Sequence, residues 1–146
     1  MQLLRPPFYA QEKDSSCLAA CLRMVLAAYG SIHSEKQLRD LCDWTPQRSI
    51  FYCRCGSGTG LRVHTYSRGL RLATPRSARP VAFGNVPNSR SRLASNGLSG
   101  QHAQVVASLT SRGLRINDPL MGQITSGLLV FEQAWSESDF LAIIIE

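Results

Sequence analysis

The middle of the chain has no acidic residue and no lysine. From Trp44 to Asn117 there is no Asp, Glu or Lys, but there are eleven Arg. All ten acidic residues lie outside this window, together with only five basic ones. The positive formal charge of +6 therefore comes from one segment of the 146-residue chain and not from the whole fold.

Long hydrophobic runs are also missing. The stretch from Leu18 to Tyr29 is interrupted by Arg23 and is too short to span a bilayer. The first nine residues carry no apolar run of signal-peptide length. These absences predict a cytoplasmic chain with no transmembrane segment of its own.

The sequence also excludes a phosphate-binding loop and disfavours a disulfide framework. No GxxxxGK[ST] phosphate-binding loop is present, so the sequence predicts no ATPase activity. The five cysteines (17, 21, 42, 53 and 55) are an odd number. In a reducing compartment they are expected to be thiols and not a disulfide framework.

The length and the hydrophobic fraction of 44% predict a single domain, over residues 1–146, with a real core. Residues 44–100 are atypical, because they are rich in Arg, Ser, Gly and Pro and show no sustained period. Two interpretations remain open for this segment. It is either an insertion or a stretch read out of frame from a GC-rich gene.

The amino-terminal part predicts two helices. The first begins near Cys17, after three candidate caps at residues 14–16, and ends near Tyr29 with Gly30 as its stop signal. It is apolar nearly all round, which is typical of a buried helix. The second begins after Ser34, which forms a capping box with Gln37, and has an apolar face of Leu38, Leu41 and Cys42.

The carboxyl-terminal part predicts a sheet. Strands are expected over residues 104–109, 114–118 and 122–125, with a turn at 111–113. A short helix over 128–135 and a buried strand over 140–145 follow. Helices followed by antiparallel strands indicate an α+β fold.

Four residues form a pattern typical of nucleophilic catalysis. Cys17 lies at the predicted amino terminus of a helix, where free N–H groups and a partial positive charge stabilise a thiolate. His102 is the candidate general base. Asp118, sixteen residues later, is brought back beside it by a hairpin and orients the ring. Gln11, six residues before Cys17, is the candidate oxyanion donor, with the Cys17 backbone N–H as second donor.

These residues resemble a known family. Gln11, the run Ser-Ser-Cys-Leu-Ala-Ala-Cys-Leu-Arg-Met around Cys17, the run Gly-Gln-His-Ala-Gln-Val-Val around His102 and Ile-Asn-Asp-Pro around Asp118 are similar to the bacteriocin-processing cysteine peptidases. The family consists of papain-like domains, usually fused to ABC exporters, that cut leader peptides after a double glycine. The resemblance covers roughly residues 11–43 and 100–145.

The resemblance implies a papain-like fold, with amino-terminal helices carrying the cysteine and a carboxyl-terminal antiparallel sheet carrying the histidine and the aspartate. It implies a cysteine peptidase acting on a peptide or protein, with an ABC exporter at the inner face of a membrane as the expected partner. No metal or organic cofactor is needed, and no nucleic-acid partner is expected. Two residues depart from the family pattern, Leu18 in place of glycine and Ser16 in place of aspartate.

Other residues have simpler interpretations. Cys21 and Cys42 are expected to contribute only to packing. Cys53 and Cys55 with His64 suggest a metal site, but the CxC spacing and the missing fourth ligand disfavour zinc. His33 and His64 are expected at the surface. The arginines of the middle lack an aromatic platform for nucleic acid.

A catalytically inactive chain is the alternative to a peptidase. It is either a papain-like module that binds a peptide without cutting it or the inactive product of a damaged gene. The intact set of Cys17, His102 and Asp118 favours the peptidase.

Overall fold

The computed structural model describes residues 5–42, 63–66, 79–84, 102–136 and 142–145, with only the backbone for 63–66, 79–84 and 142–145. Along the described chain, α1 (Cys17–Ala28) and α2 (Glu35–Leu41) come first. Six strands and one more helix follow: β1 (Val63–Tyr66), β2 (Arg79–Gly84), β3 (His102–Thr110), β4 (Gly113–Asp118), β5 (Gly122–Ser126), α3 (Leu128–Ser136) and β6 (Ala142–Ile145).

The first helix ends where its sequence predicts. Gly30 has a φ of 80°, a left-handed conformation that glycine adopts without strain. Its N–H donates to the Ala27 carbonyl, and the N–H of Ser31 donates to the Leu26 carbonyl, both at 3.0 Å. These two bonds form a Schellman motif, which satisfies the last carbonyls of α1.

The starts of the two helices differ from each other. Ser34 and Gln37 form the predicted capping box at α2. Ser16 is the N-cap residue of α1, but its side chain makes no bond to the first turn. The prediction of a side-chain cap is therefore wrong for Ser16. The Ser16 hydroxyl bonds instead to Lys13 and Glu35.

The described strands form one antiparallel sheet in the order β1-β6-β2-β3-β4-β5. The predicted strands near 104–109, 114–118, 122–125 and 140–145 are all present, as β3, β4, β5 and β6. The burial predicted for the side chains of the last strand lies outside the described residues. The sequence did not predict β1 and β2, which lie inside the atypical segment 44–100.

Helices cover both faces of the sheet. On β3, the adjacent residues Val105 and Val106 point to opposite faces because side chains alternate along a strand. Val105 belongs to a core cluster with α1 and Leu38 of α2. Val106 belongs to a second cluster with Phe131 and Trp135 of α3. The observed arrangement is the predicted α+β fold.

Nearly all of α1 is buried, as its apolar sequence predicts: the buried residues are Cys17 to Leu22 and Met24 to Leu26. The apolar face predicted for α2 is only partly right. Leu38 is fully buried, but Leu41 is 43% exposed. Cys42, four residues after Leu38, is buried in the same cluster as α1, so α2 packs through Leu38 and Cys42 while Leu41 lies to one side.

Candidate active site

Cys17 is the first residue of α1. At this position its backbone N–H has no partner within the helix, and the positive end of the helix dipole lies beside its side chain. The residue is 7% exposed and its thiol is free. The position agrees with the one expected of an activated thiol.

His102 and Asp118 come together at one end of the sheet. His102 is the first residue of β3 and Asp118 the last of β4, and antiparallel pairing brings these two ends side by side. The Nε2 atom of His102 lies 2.9 Å from Oδ1 of Asp118. Cys17 also interacts with the imidazole, because its side chain is one of the groups that raise the pKa of His102.

The charge of His102 is set by opposing effects. Burial lowers the pKa of the imidazole, but hydrogen bonds to Asp118 and Cys17 and the charges of both residues raise it to about 9. At neutral pH the ring therefore carries a proton. A protonated imidazole beside a thiol is the arrangement that favours a thiolate–imidazolium pair.

Asp118 is fully buried and has donors on both oxygens. Oδ1 accepts from His102 and from the backbone N–H groups of Leu120 and Met121, at 2.8 and 2.9 Å. Oδ2 accepts from the side-chain amide of Gln104 at 2.7 Å. Burial raises the pKa of this carboxyl, but the bond and charge of His102, with the bonds of Gln104 and Met121, bring it below its usual value.

Sequence reasoning missed the role of Gln104. The residue is 6% exposed, and its side-chain amide donates to the Asp118 carboxylate on the neighbouring strand β4. The signal was present in the alternation of the strand, since Gln104 is two residues after His102 and must share its face. A polar residue at that spacing in a buried strand needs a buried partner.

Gln11 lies in the loop before Cys17, but its amide is engaged. The Nε2 atom donates to the carbonyls of Lys13 and Asp14 at 2.8 and 2.9 Å. Its Oε1 atom is buried and has no hydrogen-bond partner. The Gln11 backbone N–H donates to the carbonyl of Pro119 at 3.0 Å, which ties this loop to the turn after Asp118.

Cys21 and Cys42 differ from Cys17 in their chemistry. Cys21 is fully buried one helical turn after Cys17. Burial, and then the charges of Cys17, Asp118 and Glu35, raise the pKa of its thiol well above the usual value, so it is a poor nucleophile. Cys42 is buried and disulfide-bonded, so the prediction of a thiol that only packs is wrong for it. Since Cys17 and Cys21 are both free, its partner lies outside the described residues.

The described parts of the chain contain neither a metal-binding cluster nor a membrane-spanning helix. Within the described ranges, no group of three or more His, Cys, Asp or Glu side chains has the geometry to hold a metal ion. The metal interpretation of Cys53, Cys55 and His64 lies outside the described side chains. His33 is half-buried, with its ring bonded to the Ser31 hydroxyl. No helix in the described parts is long and apolar enough to cross a membrane.

A cavity of about 440 Å³ lies elsewhere on the molecule. Its lining includes Arg5, Arg115 and Asn117, but none of Cys17, His102 and Asp118. The cavity is therefore separate from the cysteine–histidine–aspartate cluster.

Comparison with family models matches residues 5–52 to the Peptidase C39 family. Solved structures with the same fold include a double-glycine motif protease from an AMS/PCAT transporter, in complex with its leader peptide. The TM-score is 0.70 at 19% identity, over 97% of this chain and 91% of that one. A search of curated proteins found no match.

The chain resembles the C39 peptidases in both sequence and fold. Two more structures agree: the peptidase domain of Streptococcus ComA, a bifunctional ABC transporter of a quorum-sensing pathway, and a C39-like peptidase from Bacillus anthracis. The first has a TM-score of 0.68 at 20% identity, over 97% of both chains. The second has a TM-score of 0.70 at 16% identity, over 99% of this chain and 96% of that one.

The predicted family resemblance is thereby confirmed, as is the papain-like fold. The family match, over about the first third of the chain, also agrees with the predicted enzyme class, a cysteine peptidase. At these low identities the three structures inform the fold alone. The roles of single residues in this C39-like chain therefore rest on its own geometry.

Proposed function

We propose that this chain cleaves peptide bonds with Cys17 as the nucleophile, His102 as the general acid and base, and Asp118 as the residue that orients the imidazole. The observation that supports the proposal most directly is the arrangement around His102. Its Nε2 atom is held 2.9 Å from the buried Asp118 carboxylate, and Cys17 interacts with the same imidazole and raises its pKa. The three residues come from two distant parts of the sequence.

The proposed reaction proceeds through an acyl-enzyme. The Cys17 thiolate attacks the carbonyl carbon of the scissile bond, and the imidazolium of His102 then gives its proton to the leaving amine. The neutral imidazole next takes a proton from a water molecule, which attacks the thioester and releases the acid. Cys17 returns to its starting state, so no cofactor is consumed.

The oxyanion of the tetrahedral intermediate needs donors. The free backbone N–H of Cys17 is one, and the Gln11 side chain is the proposed second. The Gln11 amide now donates to two loop carbonyls, so oxyanion binding requires one of these bonds to be exchanged. If Gln11 keeps both bonds when a peptide is bound, the chain is better described as the alternative peptide-binding module.

The proposed substrate is a peptide, with a leader that ends in a double glycine as the candidate. This follows from the similarity to a protease that was solved with a leader peptide. We also propose an ABC exporter as the partner and the cytoplasmic face of a membrane as the site of action. Both follow from the transporter origin of two similar structures.

The test combines cleavage with alkylation of the cysteines. Wild-type protein, Cys17→Ala and Cys21→Ala are incubated with a leader peptide ending in Gly-Gly, and the products are identified by mass spectrometry. Cleavage is expected in the wild type and in Cys21→Ala, and its loss in Cys17→Ala. Near neutral pH, Cys17 is expected to be alkylated far faster than Cys21, because Cys21 is buried and its thiol has a raised pKa.

The alternatives give different results. A peptide that binds but stays intact, with Cys17 still reactive, indicates a non-catalytic module. A chain that shows no cooperative unfolding and no selective alkylation indicates a damaged product. Cleavage that persists in Cys17→Ala overturns the proposed nucleophile.

A further inference from the structure

A fully buried carboxylate lies next to the site without belonging to the proposed triad. Glu35 is the first residue of α2 and has an exposed fraction of 0%. An acidic residue at this position normally stays at the surface, where it faces the positive end of the helix dipole. A buried carboxylate is costly unless it is fully hydrogen-bonded, so its partners indicate why it is buried.

Two of the partners of Glu35 belong to the segment that we call the nucleophile loop, residues 11–16. The backbone N–H of Glu12 donates to both carboxylate oxygens, at 3.0 and 3.1 Å. The hydroxyl of Ser16, which is itself fully buried, donates to Oε1 at 2.5 Å. These contacts hold the two ends of the loop, one residue after Gln11 and one residue before Cys17.

The remaining partner fixes Glu35 to its own helix. The Arg39 guanidinium, with an 11% exposed side chain, donates to Oε1 of Glu35 at 2.8 Å and to the Glu12 side chain at 3.1 Å. The carboxylate is therefore held by α2 and holds the loop in turn. The loop also has internal bonds between Ser16 and Lys13, but the bonds of Glu35 are those that connect both of its ends to α2.

We propose that Glu35 is a positioning residue for Cys17 and Gln11, acting through the Glu12 N–H and the Ser16 hydroxyl. It fixes the direction in which the loop enters α1, and hence where the Cys17 thiol lies relative to His102. The inference rests on the proposed peptidase function only for its effect on turnover. The contacts and the reactivity of Cys17 are measured without a substrate.

The first variant is Glu35→Gln, which keeps the shape of the side chain but removes its charge. Its matched control is Asp40→Asn on the same helix, where the carboxylate forms an exposed ion pair with Lys36 at 2.8 Å. Three quantities are compared at a temperature where all proteins are folded. They are the amide exchange of Glu12 by NMR, the alkylation rate of Cys17, and kcat and KM for the peptide.

Glu35→Gln is expected to speed exchange of the Glu12 amide and to slow alkylation of Cys17, each by about tenfold, the effect of losing roughly one hydrogen bond. The loss of turnover is expected mainly in kcat, because Glu35 is fully buried and a substrate cannot reach it. Asp40→Asn is expected to match the wild type in all three. Faster exchange of the Glu12 amide with unchanged Cys17 alkylation would mean that Glu35 only stabilises the fold, which overturns the proposal.

A double-mutant cycle with Ser16→Ala tests whether Glu35 affects the reactivity of Cys17 through Ser16. If Glu35 acts through Ser16, the alkylation rate of the Ser16→Ala/Glu35→Gln double variant is close to that of the slower single variant. With Asp40→Asn as the second change, the effects are expected to add. Additive losses in the Glu35 cycle contradict the proposed route.

The two proposals fail in different ways. If the wild type cuts no peptide, while Glu35→Gln still slows alkylation of Cys17, the peptidase function fails and the positioning role stands. If the wild type cuts the peptide and Glu35→Gln changes neither Glu12 exchange nor Cys17 reactivity, only the positioning role is lost.

Discussion

Two side chains raise the pKa of His102, the Asp118 carboxylate and Cys17. The Asp118 carboxylate is the one that a conservative substitution can neutralise without changing its size. Because Asp118 also accepts from Leu120, Met121 and Gln104, its position does not depend on the histidine alone. Replacing Asp118 by Asn therefore removes the negative charge of the side chain while the orienting hydrogen bonds to Oδ1 are kept.

Asp118→Asn is expected to lower the pKa of His102 from about 9, since a neutral amide no longer stabilises the imidazolium. The alkaline limb of the pH profile of kcat/KM then moves to lower pH. The loss of turnover is expected to be smaller than in His102→Ala, for which a drop of about 10²–10⁴-fold is expected. The measurement is the pH dependence of peptide cleavage by the three proteins.

Equal losses of turnover in Asp118→Asn and His102→Ala, with an unmoved alkaline limb, would contradict the role given to Asp118.

A substitution of Gln104 also tests how Asp118 is held. Its amide donates only to Oδ2, so Gln104→Met is expected to weaken the hold on Asp118 while leaving the His102 bond to Oδ1 in place.

At the scale of the helices and strands, two glycines lie at the ends of elements. Both have a positive φ, but their surroundings differ. Gly30 ends α1 with a φ of 80°, and a Cβ built on it meets nothing within 4 Å. Gly113 begins β4 with a φ of 120°, and a Cβ there lies 2.3 Å from the carbonyl oxygen of Ser126 on β5. The second position is constrained by backbone contact as well as by its dihedral angle.

Gly30→Ala is expected to cost about 1 kcal/mol of stability, the penalty of a left-handed conformation for alanine. Gly113→Ala is expected to cost more, about 3 kcal/mol, because backbone of β4 or β5 must also move. Urea unfolding of both variants measures the difference. The interpretation of Gly113 is wrong if the two costs are equal.

The elements that could be predicted from sequence are those with local signals. The Ser34–Gln37 capping box fixes the start of α2, and Gly30 fixes the end of α1, because each acts within one turn. The strands β1 and β2 carry no such signal. Their pairing with β6 and β3 joins residues far apart in sequence, so they depend on the assembled sheet and not on a local pattern.

In the candidate site, too, some features could be predicted from the sequence and others could not. The spacing of His102 and Asp118 predicts their contact, because a hairpin brings the start of one strand to the end of the next. The burial of Glu35 could not be predicted, since an acid in a first helical turn usually faces water. Nor could the side-chain bonds of Gln11, because they depend on the path of a six-residue loop.

At the scale of the whole molecule, the site joins the two ends of the described chain. Cys17 belongs to the helical layer and His102 with Asp118 to the sheet, and the Gln11–Pro119 backbone bond links the two near the site. The contacts that stabilise charges across this junction exist only in the folded state. Their pKa shifts must therefore appear in the stability of the whole protein.

The direction of the pH effect follows from His102. Its pKa is about 9 in the folded protein and about 6.5 in an unfolded chain. The stabilisation it contributes is fully present below pH 6.5 and is lost as the pH rises through 9. The pKa of Asp118 is lowered by folding, so its contribution is present above its unfolded pKa and is lost only as the pH falls in the acid range.

The thermal midpoint is therefore expected to fall between pH 6.5 and 9.5 in the wild type, and to fall less in His102→Gln, which has no proton to lose. Calorimetry at a series of pH values measures both slopes. His33→Gln is the control, because it removes a histidine outside the site and is expected to keep the slope of the wild type. A slope in His102→Gln equal to that of the wild type would mean that the His102–Asp118 contact contributes no net stability. In that case the buried pair serves the chemistry of the site alone.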